Sequence, residues 1–386
     1  MRNWLLPEFI EDVMPIEAER IETLRRQLLD LFKVHGYQYV IPPTLEYIES
    51  LITGTGSELD TATFKVVDQL TGRMMGIRAD TTPQAARIDA HMLNHAGISR
   101  LCYAGTVLRT QPSGLARTRE PLQVGAELFG HAGVESDIEI QRLMIKSLKL
   151  IGLDRLHVDF SHAGIFESLI EAANIDRNLE DELQGALLSK DKSLLETLTK
   201  NVDQTIKQAL IQLVDLNGNR DILIRAKAVL PPLPKITKAL QDLAYVSDQL
   251  LDLNLDIGFD LSELRGYHYH SGLIFSAYAH NYAGPLALGG RYDEVGIAFG
   301  RARPATGFSL DLRGIVSALD CAECARGILA PVSEDGDLLK KIDSLRNEGQ
   351  IVVQALPNDQ TSIEELNCDR ELKYQGGEWK VLPLNN

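Results

Sequence analysis

With 386 residues, 44% of them hydrophobic and 24% charged, the chain is long enough for one large core plus appendages and has an ordinary globular composition. Its formal net charge of -15 argues against a dedicated nucleic-acid surface, because such surfaces draw most of their affinity from lysine and arginine on phosphates. No stretch approaches the roughly 18 apolar residues of a membrane span, and the acidic, proline-broken start is unlike a leader, so a cytoplasmic address is expected.

Residues 16–35 place Ile21, Leu24, Leu28, Leu31 and Phe32 at helical spacing, and His35-Gly36 supplies a glycine stop. A short strand at 38–41 is closed by Pro42-Pro43. Further strands are predicted at 73–78, 101–109, 122–128, 156–160, 256–260, 267–278 and 306–310, with a helix at 136–151. Long irregular connections separate these strands, so the expected class is α+β on a largely antiparallel sheet. From about 165 to 252 the pattern is helical throughout, at 165–173, 179–188, 192–198, 202–213, 222–230 and 233–251, which reads as an inserted module. After residue 322 the composition changes. A strand at 327–330, a helix at 337–346, a strand at 351–356 and a hairpin over 368–384 turning at Gly376-Gly377 make a small terminal α/β element. Two domains, 1–322 and 323–386, are expected.

Four cysteines, Cys102, Cys321, Cys324 and Cys368, are too few and too irregular for a disulfide framework. Cys321 and Cys324 form a C-x-x-C without a second pair or a nearby histidine, so no metal is expected there.

Three stretches carry candidate chemistry. In Gly76-Ile77-Arg78-Ala79-Asp80-Thr81-Thr82-Pro83, Asp80 and Thr82 on an extended segment would point to one side, where a carboxylate and a hydroxyl can hold an amino group. Alternatively, either residue caps a helix over 84–93. In 103–130, two strands flank a loop of Pro, Ser, Gly and Arg, and Gln123, Gly125 and Glu127 alternate onto one face. That face is either solvated or lines a polar pocket, since unpaired buried polar groups cost about 1–3 kcal/mol each. In Leu264-Arg265-Gly266-Tyr267-His268-Tyr269-His270, a strand would put the two tyrosines on one face and the two histidines on the other. No third metal ligand stands near that histidine pair, so packing or ligand recognition is the expectation. Ala287-Leu288-Gly289-Gly290-Arg291-Tyr292-Asp293 follows.

Taken in order over residues 1 to about 320, these stretches resemble the histidyl-tRNA synthetase family. The helix ending at Gly36 and the strand to Pro43 look like the dimerisation motif 1 of class II synthetases, and the 101–130 hairpin looks like motif 2 with Arg109 in the place of its arginine. RGYHYH and GGRYD look like the two histidine-specific signatures, usually written RGLDYY and GGRYD. The resemblance implies a class II synthetase-like antiparallel sheet with flanking helices. It also implies a histidine site, with Asp80, Thr82, Gln123 and Glu127 on the amino and imidazole side, Arg109 and Arg265 facing carboxylate and phosphate, and Tyr269 and His270 at the ring. Asp80 stands where a glutamate is usual, and His270 replaces a tyrosine.

The departures fall on the ATP side. Arg-x-Glu of motif 2 has become Arg109-Thr110-Gln111, followed by Pro112. The motif 3 pattern GFAMGLERL has become Gly307-Phe308-Ser309-Leu310-Asp311-Leu312-Arg313-Gly314-Ile315, so Asp311 replaces the glycine that admits ATP and Gly314 replaces its arginine. A shortened terminal element replaces the family's anticodon-binding domain. This combination resembles the regulatory-subunit branch of the family, which pairs with the short form of ATP phosphoribosyltransferase at the first step of histidine biosynthesis. That likeness implies no catalytic residue, no cofactor, a dimer within a hetero-octamer, activation of the short catalytic subunit, and feedback inhibition by L-histidine without tRNA binding. The competing expectations are an active histidyl-tRNA synthetase with unusual ATP motifs, and a synthetase-like module that senses tRNA or another ligand.

Overall fold

An apolar stripe at helical spacing needs a surface to cover, and the first one in this chain covers a sheet. The computed structural model describes residues 4–52, 57–112, 118–267, 269–280, 282–319, 325–358, 360–363 and 365–384. Helix α1 (Pro15–Val34) has proline in its first turn, buries Leu24, Leu28 and Phe32, and ends where Gly36 adopts a φ of +85°. The chain continues through β1 (Gln38–Tyr39), β2 (Leu45–Tyr47), α2 (Ile48–Ile52), α3 (Ser57–Ala62), β3 (Phe64–Val67) and β4 (Met74–Ile77) to the short helix α4 (Thr82–Arg87). A π-helical turn, Ile88–Leu93, extends α4 before the hairpin of β5 (Ser99–Thr106) and β6 (Leu122–Phe129). Helix α5 (Val134–Leu150) leads to β7 (Leu156–His162).

The inserted module follows as α6 (Ala163–Ala172), α7 (Arg177–Leu188), α8 (Lys192–Leu198), α9 (Gln204–Leu213), the two-residue strand β8 (Asn217–Gly218), α10 (Asp221–Val229) and α11 (Pro234–Gln249). The stretch is therefore not helical throughout, because β8 adds to the edge of the main sheet beside β9 (Asp256–Asp260). Asp176, Asp191 and Asp203 cap α7, α8 and α9 by accepting from backbone N–H groups of the first turn. β10 (Leu273–Ala279), β11 (Ala287–Arg291), β12 (Ala305–Asp311) and α12 (Leu312–Ala318) complete a first compact unit, Met1–Leu319.

Nine strands form the main sheet in the order β1-β5-β6-β12-β11-β10-β7-β9-β8. Its pairs are antiparallel except β1 with β5 and β7 with β9, which matches the expected α+β class. On one face Val124, Ala126, Leu128, Phe308 and Leu310 join the core that Leu24, Leu28 and Phe32 supply, with the Phe32 and Phe308 rings meeting edge to face at 6.0 Å. Phe32 is fully buried, so Phe32→Ala is expected to lower stability by about 3–5 kcal/mol, read from the midpoint of denaturant unfolding. The opposite face carries the polar residues of β6. Main-chain pairing sets Glu127 between Leu101 of β5 and Gly307 of β12, and Gly307 opposite Gly290 of β11.

Two predicted strands end differently. The one assigned to 101–109 stops at Thr106, and Arg109 makes an isolated bridge to Thr63. The one assigned to 267–278 begins only at Leu273. Before it, Gly266 has a φ of +66° and its carbonyl accepts from the N–H groups of Tyr269 and His270, which makes a turn. Tyr269 and His270 are thus not on opposite faces of a strand. Their rings touch edge to face at 5.5 Å, and His268 lies outside the described residues.

The second unit, Asp320–Asn386, contains β13 (Gly327–Ala330), α13 (Gly336–Asn347), β14 (Val352–Gln354), β15 (Cys368–Gln375) and β16 (Glu378–Pro383), with sheet order β14-β13-β15-β16. Leu338, Ile342 and Leu345 of its helix cover Ile328, Val352 and Leu372 of the sheet. The terminal hairpin turns on Gly376 and Gly377, with φ of +63° and +90°, as the glycine pair predicts. Cys102 and Cys368 are buried free thiols, whereas Cys321 and Cys324 lie outside the described residues. Among the described residues no helix is long and apolar enough to cross a membrane.

Candidate functional site

A cleft of about 940 Å³ opens over the polar face of the main sheet, at the upper end of the range for small-molecule sites. At its floor Glu127 is fully buried. Room for it comes from Gly307, where a Cβ would stand 1.5 Å from the Glu127 Oε2. Tyr103 donates its hydroxyl to Glu127 Oε1 at 2.9 Å, and Tyr292 donates to Oε2. With its own proton so engaged, Tyr103 accepts from the Thr82 hydroxyl at 3.0 Å, giving a chain from Thr82 through Tyr103 to Glu127. Burial pushes the Glu127 carboxyl up to about 8, against the three hydroxyls, which favour the ionised form. The solvated reading of the β6 face is thereby overturned.

This shift has a sign that can be measured. A carboxyl raised from 4.5 to about 8 contributes stability that is complete below pH 4.5 and is lost as pH rises toward 8. Two partly buried histidines, His162 and His270, are pushed down to about 4 by desolvation and act oppositely, but only between pH 4 and 6.5. Above 6.5 the half-buried His157, raised to about 9 by Asp159, adds to the decline. Glu127→Gln is therefore expected to flatten the fall of Tm between pH 6.5 and 8, recovering up to about 4 kcal/mol of ligand-free stability at the upper end.

Asp80 and Thr82 are not on an extended segment. Thr82 is the first residue of α4, and its N–H donates to Asp80 Oδ1 at 3.0 Å, so Asp80 serves a first-turn donor although the cap position itself falls on Thr81. The same Oδ1 also accepts from Gln123 Nε2 at 2.7 Å, while Gln123 Oε1 accepts from the Thr81 N–H at 2.8 Å. Capping and pocket roles thus coincide, because α4 starts at the cleft wall. On the opposite wall the Tyr269 ring lies against Tyr292 at 4.8 Å. The Tyr269 hydroxyl and His270 Nδ1 are buried without a hydrogen-bond partner, which marks them as groups that a ligand can satisfy. Arg109 lines the cleft and donates from Nε to the Ala79 carbonyl at 3.2 Å.

Seven of the eight predicted site residues, Asp80, Thr82, Arg109, Gln123, Glu127, Tyr269 and His270, therefore meet in one cleft. Arg265 does not line it. Half exposed, it pairs with Glu263 at 2.8 Å because the turn at Gly266 directs it away from the sheet. Tyr103 and Tyr292 complete the site and were not singled out from sequence. Tyr103 left no signal in the sequence, since its approach to Glu127 depends on the register of β5 on β6, whereas Tyr292 could have been found from its place in GGRYD.

Comparison with known proteins shows the family. A family model described as histidyl-tRNA synthetase matches residues 9–315, and one described as ATP phosphoribosyltransferase subunit HisZ C-terminal domain matches residues 325–382. An ATP phosphoribosyltransferase regulatory subunit from Methylobacillus flagellatus is 62% identical over 382 residues, 99% of each chain. The chain belongs to the ATP phosphoribosyltransferase regulatory subunit family. A member from Nitrosospira multiformis is 53% identical, covering 99% of this chain and 98% of its own. A solved structure described as an ATP phosphoribosyltransferase regulatory subunit/histidyl-tRNA synthetase from Bacillus halodurans C superimposes with a TM-score of 0.84 at 26% identity, over 96% of this chain and 98% of that one. Histidyl-tRNA synthetase from Nostoc sp. PCC 7120 shares the fold, with a TM-score of 0.79 at 17% identity over 99% and 97% of the two chains.

Beside the cleft, Asp311 and Arg313 of the motif 3 stretch are held by partners within the protein. Asp311, at the junction of β12 and α12, accepts the Leu122 N–H at 3.1 Å, and burial raises its carboxyl although Arg109 draws it down. Arg313 is buried against the Glu11 carbonyl at 2.8 Å and the carboxylates of Glu11 and Glu120 at 3.6 and 3.5 Å, and it does not line the cleft. Gly314 offers no cation at all. Arg291 of the GGRYD stretch is structural, because it binds Asp137, Ser136 and the carbonyls of His131 and Gly133 at the start of α5.

Proposed function

We propose that this chain is the non-catalytic regulatory subunit of ATP phosphoribosyltransferase, serving the first step of histidine biosynthesis. It binds free L-histidine through Asp80, Thr82, Gln123, Glu127, Tyr269 and His270, with Arg109 near the ligand carboxylate. It docks as a dimer onto the short catalytic subunit within a hetero-octamer in the cytoplasm, activates that subunit, and transmits feedback inhibition by histidine. The observation that carries this reading is an intact polar pocket, centred on buried Glu127, beside a nucleotide side that has lost its cation at Gly314 and gained a carboxylate at Asp311. Charge favours the same reading, since a net charge of -15 and the short second unit both disfavour tRNA.

Coupling follows from differential stability. If histidine binds one arrangement of the complex more tightly than another, it shifts the population by that difference, typically about 1–3 kcal/mol. The test mixes purified chain with a short catalytic subunit. Phosphoribosyl transfer should rise on mixing and fall when histidine is added, and the chain alone should form no histidyl-adenylate from histidine and ATP. Adenylate formation would instead restore the synthetase reading.

A further inference from the structure

The inserted helical module supplies part of the cleft wall. Asp181 and Gln184 of α7 line the same cavity as Glu127. Gln184 is 8% exposed, and its Nε2 donates to the Leu264 carbonyl at 3.0 Å, immediately before the turn that carries Tyr269 and His270. A buried amide beside Leu183, Ala186 and Leu187 of α7, which already bury fully, is an unusual choice for packing alone.

One helical turn before Gln184, on the same face, stands Glu180. It lies beside Tyr267, whose phenol is raised by burial and by that carboxylate. The Tyr267 ring packs edge to face against Phe166 of α6 at 5.0 Å. Residues 264–267 are thus gripped by the module at two points, Leu264 by α7 and Tyr267 by α6 and α7. The Gly266 carbonyl passes that placement on by accepting from Tyr269 at 2.8 Å and His270 at 3.0 Å.

We propose that the inserted module reads the occupancy of the cleft, with Gln184 as the positioning residue that sets the turn so that Tyr269 and His270 close on the ligand. This rests on the histidine reading given above. A ligand that draws on Tyr269 and His270 stiffens the turn, and the turn stiffens α7 through Leu264. Linkage makes the effect reciprocal, so loosening α7 weakens the ligand by the same factor. The module then becomes the moving part that a partner subunit can sense, a role that simple packing would not give it.

The experiment uses the full chain with L-histidine as the probe. In the parent, histidine is expected to slow amide exchange in residues 179–188 by about fivefold or more, together with that of residues 264–267. Gln184→Met keeps length and burial but removes the donor, and it is expected to weaken histidine about tenfold while leaving the ligand-free Tm within a few degrees. Leu183→Ala, a packing change on the same helix, is expected to lower Tm with a much smaller loss of affinity. Histidine binding with unchanged exchange in 179–188 overturns the inference, and so does parental affinity in Gln184→Met. Should Gln184→Met fail to fold, exchange in the parent decides alone. Absence of any binding heat in the parent removes the histidine reading itself, and this inference with it.

Discussion

Replacing Glu127 by alanine is expected to weaken L-histidine binding by at least about 30-fold, since losing one partner of a buried, hydrogen-bonded charge contact costs about 2–5 kcal/mol. The fully buried carboxyl, held near 8, is mostly protonated at pH 7 in the empty cleft. Its neighbours Tyr103, Tyr292 and Thr82 are all hydroxyls, which solvate either form but bring no positive charge. An entering ammonium or imidazole N–H favours the ionised form and so drives the proton off. Calorimetry at pH 7 in buffers of different ionisation enthalpy should therefore show release approaching one proton per histidine, falling as pH rises through 8. Glu127→Gln should show none. Heats at pH 7 that do not depend on the buffer would remove Glu127 from the ligand contact.

Much of the fold was legible because it rests on local periodicity. The stripe of Leu24, Leu28 and Phe32 announced α1, glycine punctuation announced its end and the terminal hairpin, and apolar spacing announced the inserted helices. The alternation of Gln123, Gly125 and Glu127 announced a shared face, but not whether water covered it. That depended on α4 and the 264–270 turn, which close over the sheet from distant parts of the chain. Tyrosine and histidine alternating after Gly266 imitate a strand. Only the positive φ of that glycine, invisible to periodicity, converts the segment into a turn and carries Arg265 away from the cleft. The hydroxyl chain on Glu127 was illegible for a different reason, since it needs the register of β5 on β6 and the approach of Tyr292 after β11. Gln184 was harder still, because its partner Leu264 is 80 residues away.

Gly307→Ala tests whether the buried carboxylate and the sheet share one constraint. The new Cβ would lie 1.5 Å from Glu127 Oε2, 2.5 Å from its Cδ and 2.9 Å from the Ala126 carbonyl oxygen, so the side chain cannot remain where it is. Glu127 is fully buried where the Tyr103 and Tyr292 hydroxyls both reach it. Moving it breaks the bond from Tyr292 and leaves a desolvated carboxyl poorly paired, so a loss of about 3 kcal/mol or more is expected together with loss of histidine binding. Gly97→Ala is the control. A Cβ there meets nothing within 4 Å, and its cost should stay within about 0.5 kcal/mol. The double variant Gly307→Ala with Glu127→Ala removes the colliding atoms, leaving only the milder approach to Ala126. Its stability should accordingly exceed the sum of the two single losses by more than about 1 kcal/mol. Strict additivity in denaturant unfolding would mean that Gly307 is required by the main chain of β12 and not by the carboxylate beside it.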